Sequence, residues 1–183
     1  MTILHIDASI NGENSASRAI SRSIVDQLTI ERGGADVIYR DLAAEPLPHL
    51  TLDAFAETSV LDEFLDADTV VIGAPMYNFT LPTQLKAWID RIVIAGRTFR
   101  YSENGPEGLA TGKRVIVALA RGGFYAQGSP ASALEHLESY LRGLFNFIGI
   151  DPEFVAADGL RVSPEQRDQS IRLALGETVR LAA

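Results

Sequence analysis

Along this chain, short continuously apolar runs alternate with longer stretches whose apolar residues recur at helical spacing. Thr2–Asp7 reads as a buried strand, followed by a polar loop and an amphipathic stretch from Ser17 to Arg32 with Ile20, Ile24, Val25 and Leu28 on one face. Gly33-Gly34 then supplies a stop, because glycine accepts the left-handed conformation that ends helices. Asp36–Tyr39 predicts a weaker second strand, and a loop carrying Pro46 and Pro48 leads into a helix over Leu52–Leu65. Thr69–Ala74 is the clearest strand, its apolar run unbroken as expected when both faces are covered. Leu81, Leu85, Trp88, Ile89 and Ile92 form a helical stripe, with Pro82 in a tolerated first-turn position. Val115–Ala120 predicts a fourth strand and Phe154–Ala157 a fifth. Between them, Leu134, Leu137, Leu141, Leu144, Phe145 and Ile148 mark a long helix. Ser163-Pro164-Glu165-Gln166 has the form of a capping box and opens a closing helix that runs to about Leu181.

Strands alternating with helices imply an α/β fold, a doubly wound five-stranded parallel sheet with helices on both faces. Five strands in 183 residues fit the order 2-1-3-4-5 within one domain over 1–183, and there is no internal repeat or linker. Such sheets bind ligands beyond the carboxyl ends of their strands, where the order reverses. The loops after strands 1, 3 and 4 therefore carry the argument.

After strand 1, Ser9, Ser15 and Ser17 bring three hydroxyls to a helix start, whose free N–H groups make an anion site. Read singly, Ser15 or Ser17 is also an ordinary helix cap. After strand 3, Pro75-Met76-Tyr77-Asn78-Phe79 puts three large apolar residues in a surface loop, a placement that a planar aromatic ligand explains. Packing under neighbouring helices is the alternative. After strand 4, Arg121-Gly122-Gly123-Phe124-Tyr125 allows backbone N–H groups to approach a ligand, with two aromatics available to wall it. Phosphate at the first loop and a ring system between the other two describes FMN.

Composition narrows the chemistry. Cysteine is absent, which excludes disulfides, iron–sulfur clusters, thiolate zinc sites and cysteine nucleophiles. A net charge of −8 opposes binding to nucleic acid or anionic membranes. No apolar run is long enough to span a bilayer and the N-terminus lacks a signal-peptide pattern, so residence in the cytoplasm is expected. His5, His49 and His136 are scattered, with no hydrolase elbow or zinc pair, and His5 reads as a satisfied sheet residue.

The run from Ala74 to Gly123 closely resembles the flavodoxin-like family of FMN-dependent NADH:azoreductases and quinone reductases. The matching segments are Pro75–Phe79, Gln84-Leu85-Lys86, Thr98–Tyr101, Glu103–Pro106 and Arg121-Gly122-Gly123, together with Ser9, Ser15-Ala16-Ser17 and Asp41–Ala44. The resemblance covers nearly the whole chain. It implies that Ser9, Ser15, Ala16 and Ser17 hold the FMN phosphate. It further implies that Pro75, Met76, Tyr77, Asn78 and Phe79, with Ala120, Arg121, Gly122 and Gly123, bind the ring and ribityl portions. Homodimers with shared active sites are also implied, so that Phe99 enters the partner's substrate pocket, alongside Phe124 and Tyr125. Two departures stand out: Ala120 occupies a position where the family often has serine, and the segment between Leu50 and Asp68 is shorter than in familiar members.

The expected reaction is two-stroke, with hydride passing from NADH or NADPH to flavin N5 and then to a quinone or azo acceptor. The cofactor carries the chemistry, backbone donors near Gly122-Gly123 stabilise its charge, and water or Tyr125 supplies protons. The alternatives are an FMN-binding electron carrier without small-molecule turnover, and a relative that has lost its flavin.

Overall fold

The computed structural model of the chain describes residues 1–182. Its elements are β1 (Thr2–Asp7), α1 (Ala16–Glu31), β2 (Asp36–Asp41), α2 (Ser59–Asp66), β3 (Thr69–Pro75) and α3 (Thr83–Ile92). There follow β4 (Phe99–Ser102), β5 (Gly105–Gly108), β6 (Arg114–Ala120), α4 (Glu138–Phe147), β7 (Glu153–Ala157) and α5 (Pro164–Ala182). Five strands form one parallel sheet in the order β2-β1-β3-β6-β7. The strand numbering departs from the expected 2-1-3-4-5 because β4 and β5 pair with each other as a separate antiparallel hairpin. The hairpin escaped the hydropathy pattern because its strands are short and mostly polar. It is held by the exposed Arg100–Glu107 ion pair, and by Phe99, which packs 4.7 Å from Phe147.

Alternation along each strand divides the core. Leu4, Ile6, Val70, Ile72, Val115, Val117 and Leu119 face α2, α3 and α4, where Phe64, Trp88 and Phe145 fill the layer. Ile3, Val71, Ile116, Ala118 and Val155 face α1 and α5 and meet Ile20, Ile24 and Leu28. A strand covered on both sides needs apolar residues at every position, which explains the unbroken runs. Among the described residues no helix is long and apolar enough to cross a membrane.

Local hydrogen bonding sets the element ends. At the end of α1, Gly33 (φ +66°) and Gly34 donate to Ile30 and Thr29, a Schellman arrangement. Ser163 Oγ accepts the Gln166 N–H at 3.1 Å, but the Gln166 side chain runs forward to Ser170 rather than back, so half of the capping box forms. Pro82 is the residue that precedes α3 rather than its first turn. Two predicted helices are shortened. Over Leu52–Leu65 only Ser59–Asp66 is α-helical; Leu52 is 93% exposed and a separate short turn covers Ala54–Ala56. The helix expected from Leu134 begins at Glu138, because the Glu135 carboxylate accepts the N–H groups of Leu137, Glu138 and Ser139 and fixes the start there.

Candidate active site

The carboxyl ends of β1, β3 and β6 open into one cleft of about 340 Å³. Ser9, Asn11, Asn14, Ser15 and Ala16 line it from the first loop, and Pro75, Met76, Tyr77, Ala120 and Gly122 from the other two. The three loops are fastened together. Tyr77 Oη accepts the Ile10 N–H at 3.1 Å and lies 3.3 Å from Ser9 Oγ, and Ala120 O accepts the Met76 N–H at 2.9 Å. Ser15 caps α1 through the Arg18 N–H and shares a hydrogen bond of 3.1 Å with the buried Ser17 hydroxyl. The cap leaves the N–H groups of Ala16 and Ser17, first in the helix, without intrahelical partners. Capping and anion binding are thus compatible at this serine pair.

Asn78 and Phe79 have φ of +47° and +72° and form the corners of a turn closed by reciprocal bonds between Tyr77 and Thr80. Two left-handed corners define a primed turn, which asparagine tolerates and phenylalanine does not without strain. The Phe79 carbonyl accepts the His136 N–H, and its ring meets Tyr125 edge-on at 6.2 Å. Both residues sit at the rim, exposed, rather than in the cleft lining.

Several expected site residues point elsewhere. Arg121 turns its side chain beneath the loop, where its guanidinium makes bonds of 2.6 and 3.1 Å to Asp158 and 3.2 Å to Glu138. Burial opposes its charge, yet these carboxylates hold it protonated, above the usual arginine range. Its backbone is also engaged, donating to Ala157 and accepting from Leu160. Gly123 carries the Tyr125 ring, and its carbonyl accepts the Gly159 N–H; it does not line the cleft. Phe124 lies over Gly159, where a Cβ would fall 2.6 Å from its ring. Tyr125 lines a separate depression with Glu135, Glu138 and Arg142. Phe99 is buried in this chain's core, and the exposed aromatic of the hairpin is Tyr101.

The structure also brings in residues that the three-loop reading missed. Leu160, Arg161 and Arg167, between β7 and the first turns of α5, complete the wall of the cleft. Arg167 donates to the Asn14 carbonyl at 2.8 Å across 153 residues of sequence. Among the described residues no carboxylate lines the cleft, whereas the chain as a whole carries −8. Next to it, Arg18 grips Asp41 through two bonds of 2.7 and 2.8 Å and braces the Ser9 carbonyl, so its charge is already neutralised. Burial and the neighbouring Asp7 push the Tyr39 phenol up to about 12, leaving it a hydrogen-bond donor to Asp7. His5 is buried and bonded to Ser21 at 3.0 Å, the satisfied sheet position expected.

Comparison with known proteins matches this geometry. A family model described as a flavodoxin-like fold matches residues 1–181. A Bradyrhizobium diazoefficiens protein named FMN-dependent NADH:quinone oxidoreductase 2 is 51% identical over 201 aligned positions, covering the whole of both chains. Among solved structures, the azoreductase AzrA superposes with a TM-score of 0.91 at 29% identity, over 100% of this chain and 99% of that one. An FMN-dependent NADH-azoreductase from Bacillus anthracis, solved in complex with FMN, does so with a TM-score of 0.85 at 27% identity and the same coverage. By its sheet, its cleft and the match across residues 1–181, this chain belongs to the flavodoxin-like fold family.

Proposed function

We propose that this chain is an FMN-dependent NADH:quinone oxidoreductase with azoreductase activity. The observation that carries the reading is the convergence of three loops, plus Arg161 and Arg167, on one cleft without carboxylates. The donor set fits FMN at both ends. Ser9, Ser15 and the open N–H of Ala16 match a phosphate, supported by the α1 dipole. Pro75, Met76, Ala120 and Leu160 offer apolar surface to a ring system. Ala120 contributes its carbonyl to loop 3, so the serine hydroxyl found in many relatives is not needed to hold the loops together.

Bound FMN would supply two-electron redox chemistry between NADH and the acceptor. The protein's own part is positioning. Tyr77 and Ser9 fix the separation of loops 1 and 3, and Gly122 lets the chain pass close to the ligand where a side chain would displace Arg161. Protons taken up by the acceptor would come from water. With a second copy of the chain, each cleft would gain residues from its partner; the exposed Tyr101 hairpin suits that role. The whole chain serves as a single FMN-binding domain, acting in the cytoplasm.

Stopped-flow reduction of the FMN-loaded protein by NADH and by NADPH, then reoxidation by benzoquinone and an azo dye, tests the proposal. Rapid bleaching by NADH followed by recovery with quinone is expected. Retained flavin without turnover would favour an electron carrier.

A further inference from the structure

The segment between β7 and α5 gives the cleft two guanidinium groups that differ from the other arginines nearby. Arg18 and Arg121 are taken up by carboxylates. Arg167 makes one bond, to the Asn14 carbonyl, which anchors it beside the Ser15–Ala16 helix start with other N–H groups free. Arg161 donates its backbone N–H to the Gly122 carbonyl at 3.0 Å and lays its aliphatic stem over Gly122. Its guanidinium is exposed at the cleft and has no hydrogen-bond or ion-pair partner among the described residues. A planar guanidinium presents paired donors that match a phosphate more closely than a neutral hydroxyl does.

We propose that Arg161 and Arg167 form a guanidinium clasp in the cleft that holds the serine loop, reading the phosphate of the cofactor so that the chain selects FMN over riboflavin by charge. The inference rests on the FMN reading above and goes beyond it, since a serine loop and a helix start would suffice for a phosphate without any cation. The clasp explains why, among the described residues of an acidic protein, this cleft is free of carboxylates and furnished with two positive charges. A phosphate monoester carries nearly two negative charges at neutral pH, so it gains from both arginines, whereas riboflavin gains from neither.

Titration of the flavin-free protein with FMN and with riboflavin, followed by fluorescence, tests the clasp in Arg161→Gln, Arg167→Gln, Arg167→Lys and the double glutamine variant. Each glutamine substitution is expected to weaken FMN about tenfold while changing riboflavin less than about twofold, the scale of one charge-assisted bond. The double variant should narrow the FMN-to-riboflavin preference about a hundredfold and lose the salt dependence of FMN binding. Arg167→Lys should keep part of the preference. Melting temperatures of the flavin-free variants report folding; Arg161→Gln removes no internal side-chain bond and stays informative if Arg167→Gln loosens α5. An unchanged preference in the double variant, or equal weakening of both flavins, would overturn the clasp while leaving the oxidoreductase reading in place. A wild-type protein that takes up neither flavin would overturn both.

Discussion

Arg121 carries the most testable contact in this region, because its side chain turns away from the cleft and lies under the loop. Its side chain is 4% exposed and lies within 4 Å of Asp158, Glu138 and Glu135. In Arg121→Met the apolar stem is preserved and the charge removed, which strands three carboxylates around one site. Removing one partner of a buried ion pair costs about 3–5 kcal/mol. Glu138 is 30% and Asp158 20% exposed, so water screens part of the penalty and a loss of about 3 kcal/mol is expected. For a chain of this size that corresponds to a fall in Tm of roughly 6–12 °C. Urea unfolding of both proteins at pH 7 measures this. A variant within about 1 kcal/mol of wild type would refute the argument.

Three other outcomes follow from the geometry. Gly73→Ala would place a Cβ 2.1 Å from the buried Asp7 Oδ1, and should cost about 3 kcal/mol, read as a lowered thermal midpoint. At Phe79, whose φ is +72°, glycine should be more stable than alanine by about 1 kcal/mol in urea titrations, the reverse of the order in a helix or strand. Burial works to raise the Glu135 carboxyl, but N–H groups from Ser139, Glu138 and Leu137 hold it below the usual glutamate range. A depressed carboxyl stabilises the fold above its unfolded value, roughly 4.3, and the contribution fades as pH falls through the folded value. Glu135→Gln should therefore be less stable than wild type at pH 7 by about 1 kcal/mol, with the gap closing below about pH 4.

Much of the site was legible because its parts are short and local. Ser9, Ser15, Ala16, Pro75, Met76, Tyr77, Ala120 and Gly122 line the cleft, and each sits at or next to a strand end or a helix start that the sequence marks. Side-chain direction is what the sequence pattern does not carry. Arg121 and Gly122 are neighbours in sequence, yet one faces the acidic cluster below and the other the cleft. Phe99 looks free in a polar stretch, but Phe147, 48 positions later, packs against it.

The sequence by itself determined the alternation of strands and helices, the two-faced core and the three loops at the switch point, because hydrophobic period and glycine, proline and serine placement act over a few residues. Only the tertiary structure decided that Arg121 turns under its loop and that Arg161 and Arg167 join the cleft. Those outcomes depend on partners far along the chain, such as Asn14 for Arg167 and Asp158 for Arg121. A side chain's charge is local information, but what neutralises it is settled only when the sheet has brought distant segments together.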